Sequence, residues 1–144
     1  TQKQYVIGRI FFDTCVGLQY MHYNGITHRD VKNDNIVAKS SGKGGSAKAM
    51  LIDFNSVTHY DEIDSDITEI IGTLAYAAPE ALTLDTIRNF EDISNKDEIL
   101  LEREEDEPLD EFMEERLKDA LHERRILYDI WSLGICLYVM WYGK

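Results

Sequence analysis

At 144 residues the chain has room for one ordinary domain with a sizeable core. Its net charge of −12 argues against nucleic acid as a general partner, because a polyanion is repelled by an acidic surface. The longest nearly apolar run, Ile130 to Tyr142, is too short to cross a bilayer, so no membrane partner is expected. No signal or transit segment is visible, and the chain begins at Thr1, which reads as an arbitrary start. Cys15 and Cys136 lie in helical patterns without metal-ligand spacing and read as reduced core thiols. A cytoplasmic setting is expected, with the nucleus as the alternative.

Tyr5 to Asn24 predicts a helix. Val6, Ile7, Ile10, Phe11, Thr14, Leu18 and Met21 fall on one face at three-to-four spacing, and Asn24-Gly25 supplies the stop. A short strand is expected at Gly25-Ile26-Thr27, followed by a polar loop from His28 to Asn35. Ile36-Val37-Ala38 and Ala49-Met50-Leu51-Ile52 read as two strands, joined by the Gly/Ser-rich stretch from Ser40 to Ser46. Asp53 to Glu80 has no period and is expected to be a long loop, with Pro79 opening a short helix through Leu84.

Acidity is concentrated further on. Asp85 to Leu127 holds 16 Asp/Glu and 7 Lys/Arg, a net −9 of the whole chain's −12. Within it, Pro108 is placed to open a helix with Leu109, Phe112, Met113, Leu117, Ala120, Leu121 and Arg124 along one stripe. Tyr128 to Tyr142 is apolar on nearly every side and predicts a separate, buried central helix. Short strands, two of them joined as a hairpin, among long helices make the expected fold class mainly α with short β hairpins.

The run His28-Arg29-Asp30-Val31-Lys32-Asn33-Asp34-Asn35 concentrates chemistry. It sets a carboxylate, an ammonium and a carboxamide at fixed spacing beside a strand. That set can position a hydroxyl, neutralise a phosphate and hold a hard cation through oxygen. It resembles the catalytic loop of the eukaryotic protein kinases, H-R-D-L-x-x-x-N, with Val31 in place of Leu. Three further blocks resemble that family in the required order. They are Asp53-Phe54-Asn55 for D-F-G, Gly72-Thr73 with Ala78-Pro79-Glu80 for the end of the activation segment, and Asp129 to Gly134 for the start of the large central helix.

The resemblance implies roles residue by residue. Asp30 would accept a hydrogen bond from the substrate hydroxyl, Lys32 would sit against the transferred phosphate, and Asn35 and Asp53 would hold magnesium. Thr73 would bridge Asp30 and Lys32. Lys32, Asn35, Val37 and Asp53 are the expected ATP contacts, with Val37, Cys136 and Met140 under and behind the adenine. His28 would stack on Phe54, Asp129 would accept backbone N–H bonds from the catalytic loop, and Glu80 would be structural. Lys32 and Thr73 match the serine/threonine pattern. The implied activity is therefore ATP- and Mg2+-dependent phosphorylation of protein hydroxyls. The alternative is a pseudokinase or scaffold that uses the fold and the acidic segment for binding.

The chain also departs from the pattern. Asn55 stands for a glycine, and Asn is the side chain best able to reach the positive φ expected there. Arg29 usually accompanies a phosphate-ordered loop, and Glu69 is expected to supply that negative charge permanently. The residues from 85 to about 127 are an insertion relative to the family and could recruit a basic protein partner. The glycine-rich loop, the strand lysine and the last helices of the family are not seen. The chain thus reads as the middle of a kinase domain, mostly its larger lobe, and is expected to bind ATP poorly alone. Tyr20-Met21-His22-Tyr23, with Leu137-Tyr138 and Tyr142-Gly143-Lys144, is similar to the calcium/calmodulin-dependent protein kinase kinases.

Overall fold

Thr1 caps the first helix. Its hydroxyl accepts the Gln4 amide N–H at 3.5 Å while its amine donates to Gln4 Oε1 at 2.7 Å, so a reciprocal capping box opens the helix at Gln2. Helix α1 (Gln2–Tyr23) accordingly starts three residues before the expected Tyr5. The computed structural model describes residues 1–40, 47–62, 72–79 and 111–143. Ile7, Thr14 and Leu18 are buried along the predicted stripe of α1, and the Thr14 hydroxyl is satisfied by the Ile10 carbonyl at 2.9 Å. Gly25 ends the helix at φ +73, where its N–H bonds the His22 carbonyl at 3.0 Å.

Strand β1 (Ile26–Thr27) follows at once and pairs antiparallel with a later strand, β4 (Thr58–His59). That later strand corrects the expected unbroken loop from Asp53 to Glu80, as does a short 3-10 turn at Leu74–Tyr76. Two residues are too few to show a period, so only the pairing partner reveals them.

Strands β2 (Ile36–Ser40) and β3 (Ala47–Leu51) form the predicted hairpin, with Ile36 opposite Leu51 and Ser40 opposite Ala47. Ala47 and Ala49 are buried while Lys48 and Met50 face outward, the two-residue alternation of a half-covered strand. Small side chains there let the hairpin lie close on α1, where Asp13 accepts the Ala49 N–H at 3.0 Å and pairs with Arg9 at 2.9 Å. The connection over residues 41–46, the expected helix from Pro79 to Leu84 beyond Pro79 itself, and the acidic residues 85–110 lie outside the described residues.

Helix α2 spans Glu111–Tyr142 without a break. Two separate helices were expected here. From Glu111 to Leu133 there is neither Gly nor Pro, so nothing in the sequence stops the first before the second begins. The apolar half is not buried all round. Asp129, Ser132, Leu133 and Cys136 are inside, whereas Ile130, Trp131 and Tyr138 are exposed. Among the described residues no helix is long and apolar enough to cross a membrane.

The core sits where α1, α2 and the His28–Asn35 loop meet. Leu18, Val31, Leu133 and Cys136 form its buried centre, ringed by Phe11, Cys15, Ile36, Leu51, Tyr76 and Met140. Val31, at 1% exposure, is the apolar peg that fixes the polar loop to this core. Both cysteines are free, and burial pushes the Cys136 thiol up to about 12, which keeps it protonated.

Candidate active site

Three side chains close a triangle. Lys32 Nζ lies 2.7 Å from Asp30 Oδ2 and donates to Thr73 Oγ1 at 2.9 Å. Thr73 Oγ1 in turn donates to Asp30 Oδ1 at 2.9 Å. From the other side Asn35 Nδ2 donates to the Asp30 carbonyl at 2.9 Å and to Asp30 Oδ2 at 3.2 Å. Residues 43 positions apart are thus joined by one hydroxyl. The Lys32–Asn35 part is local, because a 3-10 turn at Asn33–Asn35 folds the amide back onto Asp30. The Thr73 part is set by Gly72, at φ +95 and packed against the Arg29 carbonyl and the Asp30 carboxylate, where no Cβ fits.

The loop itself is held from α2. Asp129, fully buried, accepts the His28 and Arg29 N–H groups at 2.8 Å each, one on each oxygen. His22 Nε2 is also 2.8 Å from Asp129 Oδ2, and since a carboxylate only accepts, the ring nitrogen donates. These bonds explain how Arg29 is kept at φ +63, a left-handed conformation that costs a non-glycine residue about 1–2 kcal/mol. Arg29 is further tied by its Nε to the Ser56 carbonyl at 2.7 Å.

Asp53 is joined to this loop through its neighbour, since the Ile52 N–H donates to the Asn35 carbonyl at 2.9 Å. His28 Nε2 lies 3.2 Å from the Ile52 carbonyl, and its ring meets Phe54 at 5.5 Å between centroids. Asp53, rather than Asn55, takes the positive φ, at +65. The Asn55 amide instead donates to Asp53 Oδ1 at 2.7 Å, the local bond that lets an Asp rest in the left-handed region.

Electrostatics follow the contacts. Burial alone would raise the Asp30 carboxyl, but hydrogen bonds from Lys32 and Thr73, the Lys32 charge and the Asn35 amide outweigh it and hold it below its ordinary range. The hydrogen bond to Asp30 holds the Lys32 ammonium above its ordinary value, with Asp53 and Asp34 adding to the attraction. Asp30 is therefore an ionised base and Lys32 a fixed cation at neutral pH. Oδ1 of Asp30 carries one bond and keeps a free lone-pair direction, so it can accept a further hydroxyl.

No group of three His, Cys, Asp or Glu side chains among the described residues could cage a metal. Asn35 and Asp53 are two oxygen donors, which suits a hard cation that arrives with phosphate ligands of its own. The structure brings His28, Arg29, Asp30, Lys32, Asn35, Asp53, Phe54, Thr73 and Asp129 into one neighbourhood. Val37 is half exposed on β2, while Cys136 and Met140 sit with the neighbouring Ile36 at the core. Glu69 and Glu80 lie outside the described residues. Sequence reasoning passed over His22, Ser56, Tyr60 and Glu62 as parts of this machinery. His22 carried a signal, a ring in the last turn of an amphipathic helix, but its partner is 107 positions away.

Residues 2–97 match the family described as the protein kinase domain. The chain is similar to a calcium/calmodulin-dependent protein kinase kinase of Caenorhabditis elegans, 31% identical over 133 residues, 92% of this chain and 18% of that protein. It is similar to the serine/threonine-protein kinase shk1/pak1 of Schizosaccharomyces pombe, 38% identical over 77 residues, 54% of this chain and 11% of that protein. The serine/threonine-protein kinase PSK1 of Saccharomyces cerevisiae is 36% identical over 73 residues, 51% of this chain and 5% of that protein. The chain spans less than a fifth of the length of these relatives.

Proposed function

Because this chain belongs to the protein kinase domain family, we propose that it carries the catalytic loop of an ATP-dependent serine/threonine protein kinase, mostly from the C-terminal lobe. The carrying observation is the closed triangle of Asp30, Lys32 and Thr73 with Asn35 behind it. It leaves one carboxylate direction for a substrate hydroxyl and one ammonium at the adjoining phosphoryl position.

In that reading Asp30 orients the attacking serine or threonine oxygen and takes its proton late, when charge has left the oxygen. Lys32 offsets negative charge on the transferred group. Thr73 fixes the angle between the two and lines the place where the acceptor hydroxyl must enter. Asn35 and Asp53 would hold magnesium, which supplies further positive charge between the phosphates when it is bound with the nucleotide. The lowered Asp30 carboxyl fits a base that must be ionised before the hydroxyl arrives.

Similarity over 92% of the chain to a protein kinase kinase supports a substrate that is itself a protein kinase. The net −9 of residues 85–127 supports recruitment of a basic partner surface. A kinase fold used only as a binding scaffold is the second reading. The bond from Asn55 to Asp53 Oδ1 favours it, because it occupies an oxygen a metal would use.

The test is magnesium-dependent transfer from labelled ATP to a protein acceptor by the full-length parent protein, wild type against Asp30→Asn. A loss of at least about a hundredfold is expected, the usual worth of a positioned base. Equal rates in the two would leave the scaffold reading.

A further inference from the structure

The first half of α2 touches the segment that follows Asp53. Tyr60, just after β4, donates from its phenol to Asp119 Oδ1 at 2.8 Å. Its ring meets the His122 ring edge-on, with centroids 5.5 Å apart and an interplanar angle of 86°. One turn further along, Arg125 Nη1 donates to the Glu62 carbonyl at 3.1 Å. Asp119, His122 and Arg125 recur every three residues, so they present one face of the helix to one short stretch of chain.

That stretch is already bound to the catalytic loop. The Tyr60 N–H donates to the Gly25 carbonyl at 2.7 Å, and a Cβ on Gly25 would stand only 3.1 Å from Tyr60 Cβ. Glu62 accepts the Thr58 hydroxyl at 2.8 Å, and it lies within the field of Arg29. The Ser56 carbonyl takes Arg29 Nε, and Arg29 adjoins Asp30. Helix α2 therefore meets the catalytic loop twice. Asp129 grips its backbone directly, and Asp119 reaches it through Tyr60 and the β4 segment. The two carboxylates are ten residues apart on one helix, about 15 Å along a single rod.

We propose that Tyr60 and Asp119 are a positioning pair through which the first half of α2 sets the β4 segment and, by way of Ser56 and Arg29, the orientation of Asp30. The inference rests on the kinase reading. The first half of α2 would then regulate the site from within. A partner that binds residues 111–127 and pulls on Asp119 would change catalysis without touching the substrate.

Tyr60→Phe removes one hydroxyl and keeps the ring on His122. Asp119→Ala removes the acceptor. Both, and the double variant, are measured in the full-length protein. Each single change is expected to lower kcat by about three- to tenfold, the worth of one hydrogen bond, with KM for ATP unchanged. The double variant is expected to be no slower than either single, because both remove the same contact. Amide exchange over Ser56–Glu62 should quicken in all three. Wild-type kcat in Tyr60→Phe, or losses that multiply in the double variant, would overturn the pair. If Asp30→Asn is inactive while Tyr60→Phe is not impaired, only this inference fails. If Asp30→Asn is fully active, the kinase reading itself fails.

Discussion

His22 and Asp129 meet at 2.8 Å across 107 positions of sequence and fasten the end of α1 to α2 at the point where the His28–Asn35 loop is hung. Asp129 is completely buried, so its oxygens are satisfied by three donors, the His22 ring and the N–H groups of His28 and Arg29. His22→Ala strips one donor and leaves part of a buried carboxylate unsatisfied. The expected cost is about 1–3 kcal/mol of stability. Thermal unfolding of the variant checks it, and an unchanged midpoint would contradict the role given to the ring. His22→Gln, which can still donate, is expected to recover part of the loss.

Much of the site was legible because it is local. Asp30, Lys32 and Asn35 fall within six consecutive positions that the family resemblance names together, and one 3-10 turn brings them together. The hairpin of β2 and β3 was legible for the same reason. What escaped depends on partners far along the chain. β4 exists because β1 pairs with it, and Tyr60 matters because Asp119 is opposite. The long α2 was misread as two helices because polarity changes near Leu127, although no residue there stops a helix. Asn55 was misread because a glycine in the family pattern suggested its own φ, whereas the unusual φ lies two residues earlier, at Asp53.

Gly72→Ala is expected to cut activity at least tenfold. At φ +95 an L side chain is strained, and its Cβ would press into the Arg29 carbonyl and toward Asp30 Oδ1. The chain must then back away, taking Thr73 from the triangle. Steady-state phosphoryl transfer checks this, with kcat rather than KM for ATP carrying the loss. A near-wild-type rate would show that Thr73 does not fix Asp30.

Asn55→Gly frees Asp53 Oδ1 from the amide now 2.7 Å away. Binding of Mn2+ together with ADP, followed by the loss of the free-ion paramagnetic resonance signal, is expected to tighten by up to about tenfold, the worth of one competing hydrogen bond. Asn55→Ala should shift it in the same direction without adding glycine flexibility. Weaker binding in both variants would mean that the amide orients Asp53 for the metal rather than competing with it.

Asp30 makes a definite pH prediction. Its native carboxyl is held below the ordinary value of 3.8, so the unfolded chain takes up a proton first as pH falls. Its contribution to stability is thus complete above that ordinary value and disappears as pH drops through the lower native one. The difference in unfolding midpoint between wild type and Asp30→Asn is expected to be flat from neutral pH to about pH 5 and to shrink below it. A difference that already fades between pH 7 and 6 would contradict the lowered carboxyl.

The grip of Asp129 on His28 and Arg29 also dictates an order of assembly. The loop residues leave the ribosome about a hundred positions before the acid that holds them, a separation of 101 for His28. Until α2 has been made and docked, the N–H groups of His28 and Arg29 lack the carboxylate that holds Arg29 in its left-handed conformation. The chemistry-bearing loop is therefore synthesised well before the acid that holds it, and takes shape only after that acid arrives. A ribosome stalled before residue 129 carries the whole motif and no working geometry.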